Sequence, residues 1–353
     1  MRSIELQAAG GTSRITLGLP VTSVPNLIPE LCQGRRITVI TDGEVYALHG
    51  DRFPECNAVK IGEGEKGKTL ETVHRVYEAF LSLDLDRSSF IVGIGGGVVC
   101  DIAGFAASTY LRGLPFGLVP TTLLAQVDAG VGGKNGVNFH GYKNLIGTFS
   151  QPQFVLCDFR FLKTLPMAEV RNGLAEVIKH ALIGDRDLLS RLETERERIL
   201  SLREDIIEEI VYASLEAKVG IVSRDEKEGG ERRKLNFGHT FGHAIEKTMG
   251  LSHGESVSIG MVMAAKLSMA MGLLTVHDVQ RIKDMIEGYG LPTATALDKE
   301  SVIDALGKDK KREDEDIHFV LLDGIGAARI ERLKLKELVE VFDDLCEHRR
   351  AVG

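Results

Sequence analysis

Ile91-Val92-Gly93-Ile94-Gly95-Gly96-Gly97-Val98-Val99-Cys100-Asp101 is an apolar run that breaks into three consecutive glycines and continues, from Ile102 to Tyr110, as a helix-like segment. A strand that turns through glycines into a helix start brings backbone N–H groups, and the positive end of the helix, close to an anion. The stretch describes either such a phosphate cradle or a tight strand-to-helix turn inside an α/β core. Asp101 adds a carboxylate, which suits a hydroxyl or a metal ion better than a phosphate.

The flanks repeat the strand-then-helix pattern. Residues 1 to about 20 read as a hairpin turning at Ala9-Gly10-Gly11. Arg36 to Thr41 is a β-branched run ending in Asp42. That acid fits a nucleoside hydroxyl at the carboxyl end of a parallel strand and equally fits a helix N-cap. Ala58 to Ile61 is a second short strand, followed by the charged, glycine-rich loop Gly62 to Lys68. Thr69 can cap a helix whose Leu70, Val73, Val76, Tyr77 and Phe80 share a face. A strand ends at Pro120, and Thr121 and Thr122 open the next helix. Gly130 to Asn138 reads as a second glycine-rich loop carrying Lys134, with Lys143-Asn144 following, and Phe154 to Asp158 closes the series as a strand. Such alternation implies a parallel sheet with helices on both faces, over residues 1–160.

From Pro166 onward the period becomes helical. Segments run from Val170 to Ile183, Asp187 to Leu202, Asp205 to Ser223, Thr240 to Met249 and Glu255 to Met271. Others run from Val276 to Tyr289, Glu300 to Leu306 and Lys336 to Leu345, with a strand pair at Ile317 to Leu322 and Ala328 to Leu333. Residues 161–353 are therefore expected to form a second, mainly α-helical domain.

Composition narrows the function classes. The 353 residues carry 43 basic and 51 acidic side chains, a net charge of −8, which argues against nucleic-acid and membrane partners. No apolar run approaches the roughly 20 residues of a membrane span. The five cysteines are scattered without a C-x-x-C, which reads as free thiols in a reducing cytoplasm.

Chemistry concentrates in the second half. Leu235-Asn236-Phe237-Gly238-His239-Thr240-Phe241-Gly242-His243 places two imidazoles four residues apart, on one helix face. His253-Gly254-Glu255 follows in a turn before another helix, and Glu176 is a carboxylate on an otherwise apolar helix face. One carboxylate with two or three histidines makes an open metal site able to act as a Lewis acid. Lys218, Arg232 and the Lys308-Asp309-Lys310-Lys311 stretch join Lys134 and Lys143 as a cationic set. In an acidic protein these point to a small anionic ligand.

Gly95 to Phe105, Val119 to Asp128, Gly132-Gly133-Lys134, Lys143-Asn144, Leu235 to His243 and His253-Gly254-Glu255, in that order, resemble the 3-dehydroquinate synthase family of sugar-phosphate cyclases. The match covers nearly the whole chain, and its specificity lies in the conjunction. The resemblance implies a Rossmann-like N-terminal domain and a helical metal-binding domain. It implies an NAD-dependent, Zn²⁺- or Co²⁺-requiring lyase of the shikimate pathway, acting on 3-deoxy-D-arabino-heptulosonate 7-phosphate. Transient oxidation of a hydroxyl, phosphate elimination, re-reduction, ring opening and an intramolecular aldol step would give 3-dehydroquinate and phosphate.

Carried over residue by residue, the resemblance makes Glu176, His239 and His253 the metal ligands and moves His243 to the substrate pocket. Asp42, Glu65, Lys68, Gly97, Val98, Asp101, Thr121, Thr122, Lys143 and Thr164 fall on cofactor positions, which Lys134 also borders. Asp128, Lys134, Asn144, Lys218, Arg232, Asn236, His243 and Lys310 fall on substrate positions. Arg112 matches a residue that reaches the neighbouring subunit's site, implying a homodimer. Two departures from the family pattern stand out. Ala129-Gly130 and Asn135 replace the usual Ser-Ser and Thr, and Cys100 replaces a small residue. The Asp-Ala-Gly run is similar to that of 2-epi-5-epi-valiolone synthases, which cyclise sedoheptulose 7-phosphate. Asn236 and His243, however, keep the dehydroquinate synthase types. A glycerol dehydrogenase-like NAD- and metal-dependent alcohol dehydrogenase shares the two-domain plan and is the further alternative.

Overall fold

The computed structural model describes residues 1–19, 24–307, 312–313 and 316–345. The chain divides into two compact units, Met1–Val170 with Ile207–Lys227, and Arg171–Ile206 with Glu228–Gly353.

The first unit opens with the hairpin β1 (Arg2–Ala8) and β2 (Gly11–Leu17). It continues through α1 (Val24–Leu31), β3 (Ile37–Asp42), α2 (Gly43–His49), β4 (Asn57–Ile61), α3 (Leu70–Ser82), β5 (Phe90–Gly95) and α4 (Gly97–Thr109). After these come β6 (Phe116–Pro120), β7 (Lys134–Phe139), β8 (Tyr142–Phe149) and β9 (Phe154–Cys157). Seven strands form one sheet in the order β1-β2-β9-β6-β5-β3-β4, parallel except at the β1–β2 edge. On one face Val24 and Ile28 of α1 share a buried cluster with Val39, Val92, Ile94, Val119 and Leu156. On the other face lies α4, so close that a Cβ at Gly93 would come within 2.8 Å of the Ala103 methyl. The expected two-faced parallel sheet is thus present.

Three local expectations are corrected. Helix α4 begins at Gly97, not near Ile102, and Gly96 is its N-cap. Burial of Val99, Ile102, Ala103 and Ala106 against the sheet overrides the poor intrinsic helix propensity of its glycine and valines. The helix expected after Thr121-Thr122 shrinks to a single wide turn, Ala125–Ala129, with Ala125 N–H donating to Thr122 Oγ1 at 3.1 Å. Gly130 to Asn138 is a loop only as far as Gly133; from Lys134 it is strand β7, paired antiparallel with β8. Its glycines are there for close approach. A Cβ at Gly136 would come within 2.7 Å of the Ile146 carbonyl oxygen, and one at Gly104 of α4 would overlap the Asn135 amide.

The remaining elements are α5 (Met167–Gly184), α6 (Arg186–Thr194), α7 (Arg196–Leu200) and α8 (Glu204–Arg224). Then follow α9 (His239–Met249), α10 (His253–Ala270), α11 (Val276–Gly288), α12 (Lys299–Gly307), β10 (Arg312–Glu313), β11 (Asp316–Leu322), β12 (Ala328–Lys334) and α13 (Leu335–Leu345). Most of α8 packs with the first unit. The second unit is helical apart from the antiparallel sheet β10-β11-β12. Its core joins Phe241 and Ile245 of α9 and Ile259 and Met263 of α10 to Phe319, Leu321 and Phe342. The segment expected as one helix from Asp187 to Leu202 is two, interrupted at Glu195, whose backbone leaves the helical region. No helix among the described residues is long and apolar enough to cross a membrane.

Candidate functional site

Three helices of the second unit converge on Glu176. This residue lies in α5 and is fully buried. His239 opens α9 just after Gly238, whose left-handed φ of 77° lets the chain turn sharply into the helix. A side chain there would meet Met261 at 2.6 Å, so the turn packs directly on α10. His253 is the first residue of α10. That helix start is held by a Ser252/Glu255 capping box and by Gly254 N–H donating to Asn172 Oδ1 at 3.1 Å.

Both imidazoles present Nε2 to the same carboxylate oxygen, His239 at 3.4 Å and His253 at 3.3 Å from Glu176 Oε1. Two bonds of about 2 Å meeting tetrahedrally place their donor atoms roughly 3.3 Å apart, so the spacing suits a shared divalent cation. The donor set, one carboxylate and two imidazoles with their ligand atoms all within 4.8 Å of one another, is that of an open zinc-type centre. His243 lies on the same face of α9, its ring 5.3 Å from that of His239, but it is only partly buried. Among the described residues the candidate ligand groups join His239 to Glu176 and His253, and none joins it to His243.

Charge explains why the carboxylate tolerates burial. Burial alone raises its pKa, but the Lys179 ammonium and the two imidazoles outweigh that and hold it well below the usual carboxylate range. Lys179 is itself fully buried and pairs with Glu176 one helical turn away. Burial opposes a charge on His253, yet Glu176 and Glu246 push its pKa up to about 9. Lys179 and Glu246 escape a reading based on histidine spacing. Their signals are offsets of three residues from Glu176 and seven from His239. Elsewhere in this unit Arg232 is buried, and the Asn236 amide donates to Glu228, a residue the sequence reading also passed over.

In the first unit a second polar cluster surrounds α4. The Lys68 ammonium pairs with Asp101 and donates to Asn144 Oδ1 at 2.5 Å. Asn144 N–H donates to Asn138 Oδ1 at 2.9 Å, and the Asn138 amide donates to Glu65 at 2.8 Å. Lys143 lies 3.8 Å from Glu65. Four expected cofactor residues, Glu65, Lys68, Asp101 and Lys143, and the expected substrate residue Asn144 thus belong to one network. Burial lifts the Asp101 pKa to about 6 despite the neighbouring Lys68. Gly97 and Val98 form the first turn of α4, and a Cβ at Gly97 would sit 3.2 Å from the Ala129 methyl.

Other expected positions are more dispersed. Thr121 is buried, its N–H donating to the Gly95 carbonyl at 2.9 Å, and Thr122 closes the turn already described. Asp42 serves as N-cap, accepting from Val45 N–H at 2.8 Å. Thr164 Oγ1 lies 2.9 Å from His49 Nε2. Lys218 pairs with the Asp128 carboxylate and donates to the Asp128 carbonyl at 2.6 Å. Lys134 is exposed at the start of β7. Arg112 is exposed in a turn where Leu111, Arg112 and Gly113 all take positive φ. Lys310 and its neighbour Lys311 lie outside the described residues.

A glycine-turned parallel sheet in one unit and a buried carboxylate–imidazole triad in a second, helical unit define an enzyme able to hold a divalent cation. Comparison with known proteins makes this specific. The 3-dehydroquinate synthase N-terminal model matches residues 58–172 and the 3-dehydroquinate synthase C-terminal model residues 173–312. The 3-dehydroquinate synthase of Geobacter metallireducens is 43% identical over 326 residues, covering 89% of this chain and 90% of that protein. The chain belongs to the 3-dehydroquinate synthase family. Among solved structures it is similar to a 2-epi-5-epi-valiolone synthase from Streptomyces hygroscopicus subsp. jinggangensis with NAD⁺ and Zn²⁺ bound. The TM-score is 0.86 at 29% identity, over 94% of this chain and 96% of that one. A 2-deoxy-scyllo-inosose synthase complexed with carbaglucose-6-phosphate, NAD⁺ and Co²⁺ gives a TM-score of 0.85 at 27% identity, over 97% and 100%.

Proposed function

We propose that this enzyme converts 3-deoxy-D-arabino-heptulosonate 7-phosphate to 3-dehydroquinate and phosphate. The observation that carries the reading is the Glu176–His239–His253 cluster at ligand spacing, in a chain that matches both halves of the family. Glu176, His239 and His253 would hold Zn²⁺ or Co²⁺, which as a Lewis acid lowers the pKa of a coordinated substrate hydroxyl. NAD, which accepts and returns a hydride, would lie against Gly97, Val98, Thr121 and Thr122. Asp42, Glu65, Lys68, Asp101, Lys134, Lys143 and Thr164 would contact its polar groups. The largely buried Lys68–Asp101 pair would supply both a cation for phosphate oxygens and an acceptor for a hydroxyl.

The remaining residues bind and orient the sugar acid. Lys134, Arg232 and Lys310 would neutralise its phosphate and carboxylate, with Asn144, Asn236 and His243 hydrogen-bonding its hydroxyls. Lys218, nearly buried, and the partly exposed Asp128 form a pair between which a proton can be held and returned. Arg112, on its exposed turn, would serve the site of a second copy, making the enzyme a homodimer. The buried thiols of Cys32 and Cys157, whose pKa burial pushes up to about 12, are unreactive and suit a cytoplasmic location.

Phosphate release tests the assignment. The heptulosonate 7-phosphate should be turned over without net NADH, and sedoheptulose 7-phosphate should not. Preferential turnover of the latter would transfer the enzyme to the valiolone branch, and net NADH from a polyol would make it a dehydrogenase. Lys134→Ala should nearly abolish phosphate release in a folded protein.

A further inference from the structure

Glu176 faces the Nε2 of two imidazoles, so the fate of each Nδ1 decides how firmly those rings are aimed. For His239, Nδ1 lies 3.2 Å from the Phe237 carbonyl oxygen. An acceptor at Nδ1 takes the ring proton and leaves the Nε2 lone pair available. That acceptor is backbone, fixed by the left-handed turn at Gly238. For His253, Nδ1 lies 3.5 Å from Glu246 Oε2. Glu246 follows His239 by seven residues and His243 by three, so α9 presents all three on one face. The two rings differ in their need for a second anchor. His239 has 9% of its side chain exposed, whereas His253 has 27% and starts its helix. The capping box and the Asn172 bond hold the His253 backbone, not its ring.

We propose that Glu246 is a positioning residue: its carboxylate holds His253 in the tautomer and rotamer that turn Nε2 toward Glu176, and so sets the affinity of the centre for a divalent cation. The proposal rests on the metal reading given above. It assigns to a side chain the task that the Phe237 carbonyl performs for His239. A competing geometry exists, because ligand atoms of His243, Glu246 and His253 also lie within 4.8 Å of one another. In that arrangement Glu246 would itself ligate a second ion.

The test titrates Co²⁺ alone into the full, metal-stripped chain, following heat and visible absorption. Wild type should bind one ion per chain. Glu246→Gln, which keeps the size of the side chain and removes its charge, should bind one ion about 10–100-fold more weakly, with a shifted cobalt spectrum. Its metal-free melting temperature should match wild type. Glu246→Met, which offers no oxygen acceptor, should lose at least as much affinity. Wild-type affinity and spectrum in either folded variant would overturn the proposal. Two ions in wild type, falling to one in Glu246→Gln, would overturn it in favour of the second-ion arrangement. Absence of cobalt binding in wild type would instead remove the metal reading itself, and this proposal with it.

Discussion

The two polar clusters of this protein are built on opposite plans. The triad around Glu176 stands on three helices, with its carboxylate fully buried and its charge matched by Lys179 and the imidazoles. The network around Lys68 and Asp101 is strung between a glycine-rich loop, the start of α4 and the β7–β8 hairpin, and its outer pair Lys143–Glu65 is roughly half exposed. Rigid elements suit a small ion that demands fixed donor spacing. Loops suit a larger ligand whose many contacts can adjust. The contrast predicts that substitutions in the triad act on stability and metal together, while those at the exposed end of the loop network, Glu65 and Lys143, act on ligand affinity alone.

Glu176→Gln is the most severe test. It removes a donor from the triad and leaves Lys179 buried without its counter-charge, which costs about 3–5 kcal/mol. Cobalt titration should detect no binding, and the metal-free melting temperature should fall. Glu176→Gln combined with Lys179→Met should recover much of the melting temperature and none of the metal binding. Recovery of both would show that the carboxylate serves only to balance the lysine.

Gly238→Ala comes next. Its φ of 77° costs an L-residue on the order of 1–3 kcal/mol, and the new methyl must also displace Met261. The expected outcome is lower melting temperature with weaker metal binding, because the same turn aims the Phe237 carbonyl at His239. Unchanged affinity would separate the turn from the centre.

On the looser side, Asp101 gives a pH signature. Its pKa of about 6, raised by burial above the ordinary carboxylate range, means that it is ionised above pH 6 and takes up a proton as pH falls below that. NAD affinity should therefore fall below pH 6, approaching roughly tenfold per pH unit if only the ionised form binds. Asp101→Asn should be weak at every pH and lose that dependence. A wild-type affinity flat from pH 7.5 to 5 would remove Asp101 from the cofactor contacts.

The smallest expected effect is at Ser252. Losing this cap costs about 1 kcal/mol and loosens the first turn of α10, where His253 sits. Ser252→Ala should lower the melting temperature slightly and metal affinity only a few-fold.

Much of this was legible in the chain. The β-branched runs before Asp42 and Gly95, the Thr69 cap and the 3.6-residue periods of α9 and α11 encode their own local structure, because propensity and burial agree there. Glycines mislead where they serve packing. Gly136 of β7 reads as part of a loop because the sequence does not show that β8 presses against it. Histidine spacing shows which imidazoles share a helix face but not which carboxylate they meet, since Glu176 lies 63 residues before His239. Family resemblance pointed to that trio; spacing alone did not.

What the sequence determined by itself is the alternation of strands and helices, the switch to helical periods after Pro166, and the inventory of ionisable groups. Each is written in short-range pattern, where neighbouring residues set backbone preference and solvent exposure. Only the tertiary structure decided that most of α8 joins the first unit, that Glu176 shares one oxygen with two Nε2 atoms, and that Lys179 and Glu246 stand behind them. Those outcomes depend on distances between residues far apart in the chain, which packing sets and no local pattern records.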